Sequence, residues 1–146
     1  MKITYKGDYS LKAILYLAAN YSKDTVTIHE IAEHIDAPVK FLEQVLLDLK
    51  RGGFVASKRG KIGGYHLSGP PAEITVGDVI RFVDAPIEPI SCVRDGYSKC
   101  GDVYKCALRK IWQDVTKATS DIIDNVNFED LTQQVNSERQ ALTYSI

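Results

Sequence analysis

Cys92, Cys100 and Cys106 are the whole thiol content of this 146-residue chain, and they fall within fifteen residues of one another. Thiolates are soft ligands that suit iron–sulfur clusters, zinc and copper, and exposed thiolates are also redox nucleophiles. The spacing C-x7-C-x5-C contains no CxxC knuckle of the kind that builds structural zinc sites. Three converging thiolates need a fourth ligand or leave one coordination position open. The histidines offer none nearby, since His29, His34 and His66 lie far back in the chain. The residues alone leave metal binding, thiol redox chemistry and inert cysteines all open.

A second constellation lies upstream. Residues 38–61 hold Lys40, Lys50, Arg51, Lys58, Arg59 and Lys61 against Glu43 and Asp48, a net of +4 in a chain whose total is −1. The compensating acidity collects near the C-terminus, at Asp121, Asp124, Glu129, Asp130 and Glu138. Such a local excess of cations suits a polyanion even where the whole chain does not.

The elements that position these groups can be read from periodicity and caps. Residues 9–21 form a first helix with Leu11, Ile14, Leu15 and Ala18 at helical spacing, and Asp8 is placed to cap it. Thr27 and Glu30 make a capping box for a short helix carrying Ile28, Ile31, Ala32 and Ile35. A tight turn at Asp36-Ala37 comes next, and Pro38 suits the first position of the next helix. Leu42, Val45, Leu46 and Leu49 stripe that helix, and Gly52-Gly53 end it, so the pair reads as a helix-turn-helix. Strands at 54–59 and 65–68, joined through Gly60, Gly63 and Gly64, read as a hairpin wing. Thr75 caps a further helix, and Pro86 and Pro89 bound the cysteine loop. Beyond Cys106 a long helix runs over 108–126, its Leu108, Ile111, Val115, Ala118, Ile122 and Val126 forming a near-heptad seam that wants a partner helix. A short helix over 128–134 and a polar tail close the chain.

The second helix of a helix-turn-helix presents its N-terminal residues to base edges. With the leucine stripe inward, Lys40, Glu43 and Gln44 point outward near that end. Gln44 can pair with adenine, Glu43 can accept from cytosine N4, and Lys40 can reach guanine or phosphate. Arg59 and Lys61 at the wing tip can reach phosphate or the minor groove. The chain thus divides into a DNA-binding domain over 1–84, a cysteine loop over 85–107, and a dimerisation helix with its tail over 108–146. No nucleophile–base pair, phosphate loop or catalytic carboxylate pair is present, so no enzyme activity is expected. The apolar run 13–19 is too short to cross a bilayer, and the opening residues lack the apolar core of a signal peptide, which leads to the expectation of a cytoplasmic protein.

Three segments together resemble one bacterial family: Met1-Lys2-Ile3-Thr4-Tyr5-Lys6-Gly7-Asp8-Tyr9, Phe41-Leu42-Glu43-Gln44, and Arg59-Gly60-Lys61-Ile62-Gly63-Gly64-Tyr65. It is the family of small dimeric regulators that includes IscR, NsrR and CymR, and the resemblance extends over residues 1 to about 130. It implies a mainly α fold, a winged helix-turn-helix with a two-stranded wing and a long C-terminal dimerisation helix. It also implies a homodimer on a pseudo-palindromic operator in double-stranded DNA. Members that bind an iron–sulfur cluster, 2Fe–2S or 4Fe–4S, carry three cysteines where Cys92, Cys100 and Cys106 stand. Members that instead bind a metabolic enzyme typically lack the three. The first cysteine gap is longer than is common in the family. Arg109 stands where IscR-like members place a histidine ligand, and a guanidinium cannot ligate iron. Asp8 matches an aspartate that NsrR-like members supply from the partner subunit, a role that competes with capping the first helix. The expectation is a regulator whose DNA binding is set by a cluster on the three cysteines. A metal-free thiol regulator and an interaction module for a metabolic enzyme are the alternatives.

Overall fold

In the computed structural model, which describes residues 1–145, the elements run α1 (Tyr5–Ala19), α2 (Ile28–Ile35), α3 (Val39–Arg51), β1 (Val55–Lys58), β2 (Gly64–Leu67), α4 (Val76–Val83), α5 (Ala107–Ile123) and α6 (Phe128–Tyr144). Short 3-10 turns at Pro71–Glu73 and Ser91–Val93 punctuate the connections. This is the mainly helical winged helix-turn-helix architecture expected.

Local chemistry sets the element starts. The Thr27 hydroxyl accepts from the Glu30 N–H at 3.2 Å while the Glu30 carboxylate accepts from the Thr27 N–H at 2.8 Å. Thr75 and Asp78 close the same reciprocal box ahead of α4, at 3.0 and 3.1 Å. Each box satisfies amides that the first helical turn leaves without partners. Between α2 and α3 the chain reverses on Asp36, which takes the left-handed conformation at φ 51°. Asparagine and aspartate tolerate that region better than most side chains. Pro38 is the capping residue of α3 rather than its first helical residue.

The core lies where α1, α2 and α3 meet the base of the wing. Ala13, Ile14 and Leu17 of α1 pack with Ile31 of α2 and with Leu42, Val45, Leu46 and Leu49 of α3, all buried. Burying such a side chain stabilises by about 1.5–3 kcal/mol, so the leucine stripe alone fixes the face that α3 turns inward. Its opposite face is left to solvent. In the wing, β1 and β2 pair antiparallel with Val55 opposite Leu67 and Lys58 opposite Gly64. A Cβ at Gly63 would meet the Lys58 carbonyl at 2.7 Å, which explains the glycine there. Val26 adds a bridge to the sheet through two backbone bonds with Tyr65, at 2.9 and 2.7 Å.

Three expectations about the ends of the helices are corrected. Helix α1 begins at Tyr5, one turn earlier than its apolar spacing suggests, because Thr4 caps it by accepting from the Gly7 N–H at 3.1 Å. Asp8 is therefore inside the helix and does not cap it. Helix α5 stops at Ile123, short of residue 126. Helix α6 runs on to Tyr144, so the stretch expected to be a short helix with a polar tail is one long helix. Its first residue, Phe128, is 1% exposed and belongs to the same core as α1 and α3.

The junction between α5 and α6 is stitched to α4. The Val76 N–H donates to the Val126 carbonyl at 2.9 Å, and the Phe128 N–H donates to the Ile74 carbonyl at 3.1 Å. The Arg81 guanidinium grips both carboxylate oxygens of Asp124, the planar match that makes arginine–carboxylate pairs directional. One end of α5 is thereby fixed to the winged unit, and its apolar side chains stay outside. Leu108, Ile111, Trp112, Val115 and Ile122 are all exposed in the single chain.

Candidate DNA interface and cysteine segment

The outward face of α3 carries Lys40, Glu43 and Gln44, each exposed as the leucine stripe requires. Gln44 is not a loose side chain. Its Nε2 donates to Asp48 Oδ1 at 3.3 Å, one turn further along the helix. Asp48 in turn lies 2.7 Å from the Lys6 ammonium of α1, and Arg51 approaches the same carboxylate at 3.5 Å. The hydrogen bond from Lys6 is the main reason that the Asp48 carboxyl is held below the usual carboxylate range. Phe41, exposed on α3, meets Tyr9 of α1 edge-on at 5.5 Å.

At the wing, Arg59 and Lys61 are exposed on the turn between the strands. The turn is fixed from outside by Thr25, whose hydroxyl donates to the Ile62 carbonyl at 2.8 Å. The other cations of the basic stretch have structural work. Lys58 pairs with Asp24 and holds the wing to the loop after α1, while Lys50 donates to Ser57 Oγ at 2.7 Å and ties α3 to β1. Among the described residues Lys40, Arg59 and Lys61 make no ion pair, and they stand on the helix and wing that a winged helix-turn-helix generally turns to DNA.

The cysteines lie on the segment between α4 and α5. All three are free thiols, Cys92 half-buried in the 3-10 turn, Cys100 exposed in the loop and Cys106 exposed as the capping residue of α5. Among the described residues, no three histidine, cysteine, aspartate or glutamate side chains gather into a group that could hold a metal ion. The gathering of three thiols that the resemblance implies is thus not formed within the single chain. The donor chemistry nevertheless fits an iron–sulfur cluster, which thiolates hold in proteins generally. Asp8 lies elsewhere, paired with Lys12 at 2.6 Å in the first turn of α1, and it borders a cavity of about 560 Å3 with Lys2, Ile3, Thr4 and Tyr5.

Two contacts of this region have no counterpart in the sequence pattern. Arg109, which stands in place of a histidine ligand, donates from Nε to the Cys92 carbonyl at 2.8 Å and clips the 3-10 turn to the first turns of α5. Asp84, the last residue before the cysteine segment, accepts from both the backbone and the hydroxyl of Thr4. Neither has a local signal that could reveal it, because the partners are 17 and 80 residues apart.

The helix-turn-helix and the two-stranded wing that follows it define a protein of the winged helix-turn-helix class. The chain belongs to the Rrf2 family, described as iron-dependent transcriptional regulators, whose pattern matches residues 3–134. A rrf2-like regulator of Rhodobacter capsulatus is 39% identical over 136 residues, covering 88% of this chain and 91% of that one. IscR of Vibrio campbellii is 32% identical, over 90% of this chain and 77% of its own. The solved structure of CymR, the global cysteine regulator of B. subtilis, superimposes with a TM-score of 0.78 at 31% identity, over 92% of this chain and 98% of that one.

Proposed function

We propose that this regulator binds a pseudo-palindromic operator as a homodimer, and that its DNA affinity is set by an iron–sulfur cluster held by Cys92, Cys100 and Cys106. What carries the reading is the place of the three thiols. They occupy the one segment that joins α4 of the winged unit to α5, and Arg109 ties that segment to α5 through the Cys92 carbonyl. A change in how the segment is ordered therefore acts on both the reading unit and the helix that bears the exposed apolar seam. The description of the family as iron-dependent supports the same reading.

The seam of α5 pairs with its twin, which sets two recognition helices on successive major grooves. Gln44 and Glu43 read base edges, while Lys40, Arg59 and Lys61 hold phosphate. Cys92, Cys100 and Cys106 would hold the cluster by their thiolates, and it would supply a centre sensitive to oxidants, small ligands or cluster supply. Asp8, which Thr4 replaces as the cap, would exchange its exposed ion pair with Lys12 to serve as a fourth ligand to the three cysteines of the opposite protomer.

Purification without oxygen, with iron and acid-labile sulfide analysis, tests this directly. Matching iron and sulfide with visible absorption, lost in each of Cys92→Ala, Cys100→Ala and Cys106→Ala, is the expected result. A colourless protein whose DNA affinity follows thiol oxidation would overturn the cluster in favour of a metal-free thiol regulator.

A further inference from the structure

The first turn of α1 is gripped from two sides by segments that belong to the regulator's two working parts. On one side stands Asp84, where α4 ends and the cysteine segment begins. Its carboxylate accepts from the Thr4 N–H at 3.0 Å and from the Thr4 hydroxyl at 2.5 Å. Gly7 lies so close to the same carboxylate that a Cβ there would overlap its oxygen. Any side chain at residue 7 would push the two apart.

On the other side stands the recognition helix. Lys6 reaches across to Asp48 at 2.7 Å, and Asp48 receives the Gln44 amide at 3.3 Å. The Asp48 side chain is 19% exposed and the Lys6 side chain 40%, so the pair is partly shielded from solvent. The edge-on contact of Tyr9 with Phe41 adds a second point where α1 touches α3. Thr4, held by Asp84, and Lys6 thus lie two residues apart in one segment, and Lys6 pairs with the carboxylate on which Gln44 rests.

We propose that the first turn of α1 links the cysteine segment to base readout, with Asp84 and Thr4 as its input and with Lys6 and Asp48 as positioning residues for Gln44. The link rests on the reading of Gln44 as a base-contacting residue and of the cysteine segment as regulatory. It names the path between them.

The test begins with full-length protein and an operator selected from a randomised duplex pool. Asp84→Ala and Lys6→Met are each made alone and with Gln44→Ala. Affinities are then measured for the operator and for duplexes changed one base pair at a time, after circular dichroism and sizing show the native fold. Each single variant should lower the preference at the base pair read by Gln44 by about five-fold or more, the size of coupling expected within one hydrogen-bonded network. With Gln44→Ala already present, neither should lower it further, and Lys6→Arg should retain the preference. Effects that simply multiply would overturn the link. Uniform weakening of every duplex by Gln44→Ala would remove Gln44 as a reader, and the link with it.

Comparing iron- and sulfide-reconstituted protein with the metal-free form separates the link from the cluster. A difference in base preference between the two forms that survives Lys6→Met overturns the link and leaves the cluster reading standing. Unchanged base preference in the wild type, with a changed overall affinity, overturns the link and leaves the cluster reading standing. Equal affinity of the two forms on every duplex overturns the cluster reading, and the double-variant comparison then decides the link by itself.

Discussion

Replacing Ile111 and Ile122 with glutamate changes one exposed residue towards each end of the α5 seam without touching the winged core. In the single chain these side chains are 51% and 66% exposed, so about half to two-thirds of each remains to be covered by a partner. Full burial of an isoleucine is worth about 1.5–3 kcal/mol, which leaves about 1–2 kcal/mol for each of these positions. Two protomers contribute four such side chains, or about 4–8 kcal/mol, before any cost of desolvating the new carboxylates. At about 1.4 kcal/mol per tenfold, the dimer dissociation constant should rise about a thousand-fold or more. Light scattering and sedimentation across a concentration series should show monomers, with helical content and thermal unfolding of the winged unit little changed. Operator affinity should fall with dimerisation, because one half-site contributes far less than two. A double variant that stays dimeric at the wild-type concentration would place the interface elsewhere and refute the seam.

Three further outcomes rest on particular contacts. Phe128→Ala should cost about 3–5 kcal/mol in chemical denaturation, because Phe128 is a fully buried side chain of the shared core; a loss below about 1 kcal/mol would mean that α6 is only loosely docked. Lys6 holds the Asp48 carboxyl below the usual carboxylate range. That stabilisation is present above the unfolded carboxylate pKa and lost as pH falls through the lower folded value, so the stability advantage of wild type over Asp48→Asn should shrink as denaturation is repeated from about pH 5 downward; an advantage that grows on acidification would contradict the pair. Arg59→Ala should weaken binding to all duplexes alike and reduce the salt slope of log affinity by about one, as loss of one phosphate contact does; an unchanged slope would remove Arg59 from the phosphate backbone.

Much of the fold is legible in the sequence because its signals are local. The Thr27–Glu30 box, the Thr75 cap, the leucine stripe of α3 and the glycines of the wing each act within a few residues, and each appears where the pattern puts it. The start of α1 is hidden because Asp8 is as good a cap in composition as Thr4, and the apolar spacing begins only at Tyr9. The length of α6 is hidden because Phe128 and Leu131 anchor one end, whereas most residues beyond Val135 are polar and exposed.

The candidate site divides along the same line. Outward Lys40, Glu43 and Gln44 follow from the inward stripe, so their exposure can be derived from helical geometry alone. The contacts that fix Asp48 beneath Gln44 and that tie down the cysteine segment cannot. Lys6–Asp48, Thr4–Asp84 and Arg109–Cys92 are tertiary contacts between residues with no common motif. Whether three cysteines converge is likewise set by the loop's folded path rather than by their spacing.

The central claim is that the state of the cysteine segment sets DNA affinity, and one titration tests it most directly. Operator binding is measured at fixed salt for anaerobically prepared cluster-loaded protein, for the same protein stripped of metal, and for Cys92→Ala/Cys100→Ala/Cys106→Ala. Loaded and stripped wild type should differ by about 1–3 kcal/mol, the usual size of a coupling between two sites. The triple variant should match the stripped form under both preparations. Equal affinity of loaded and stripped protein on every operator selected would contradict the claim.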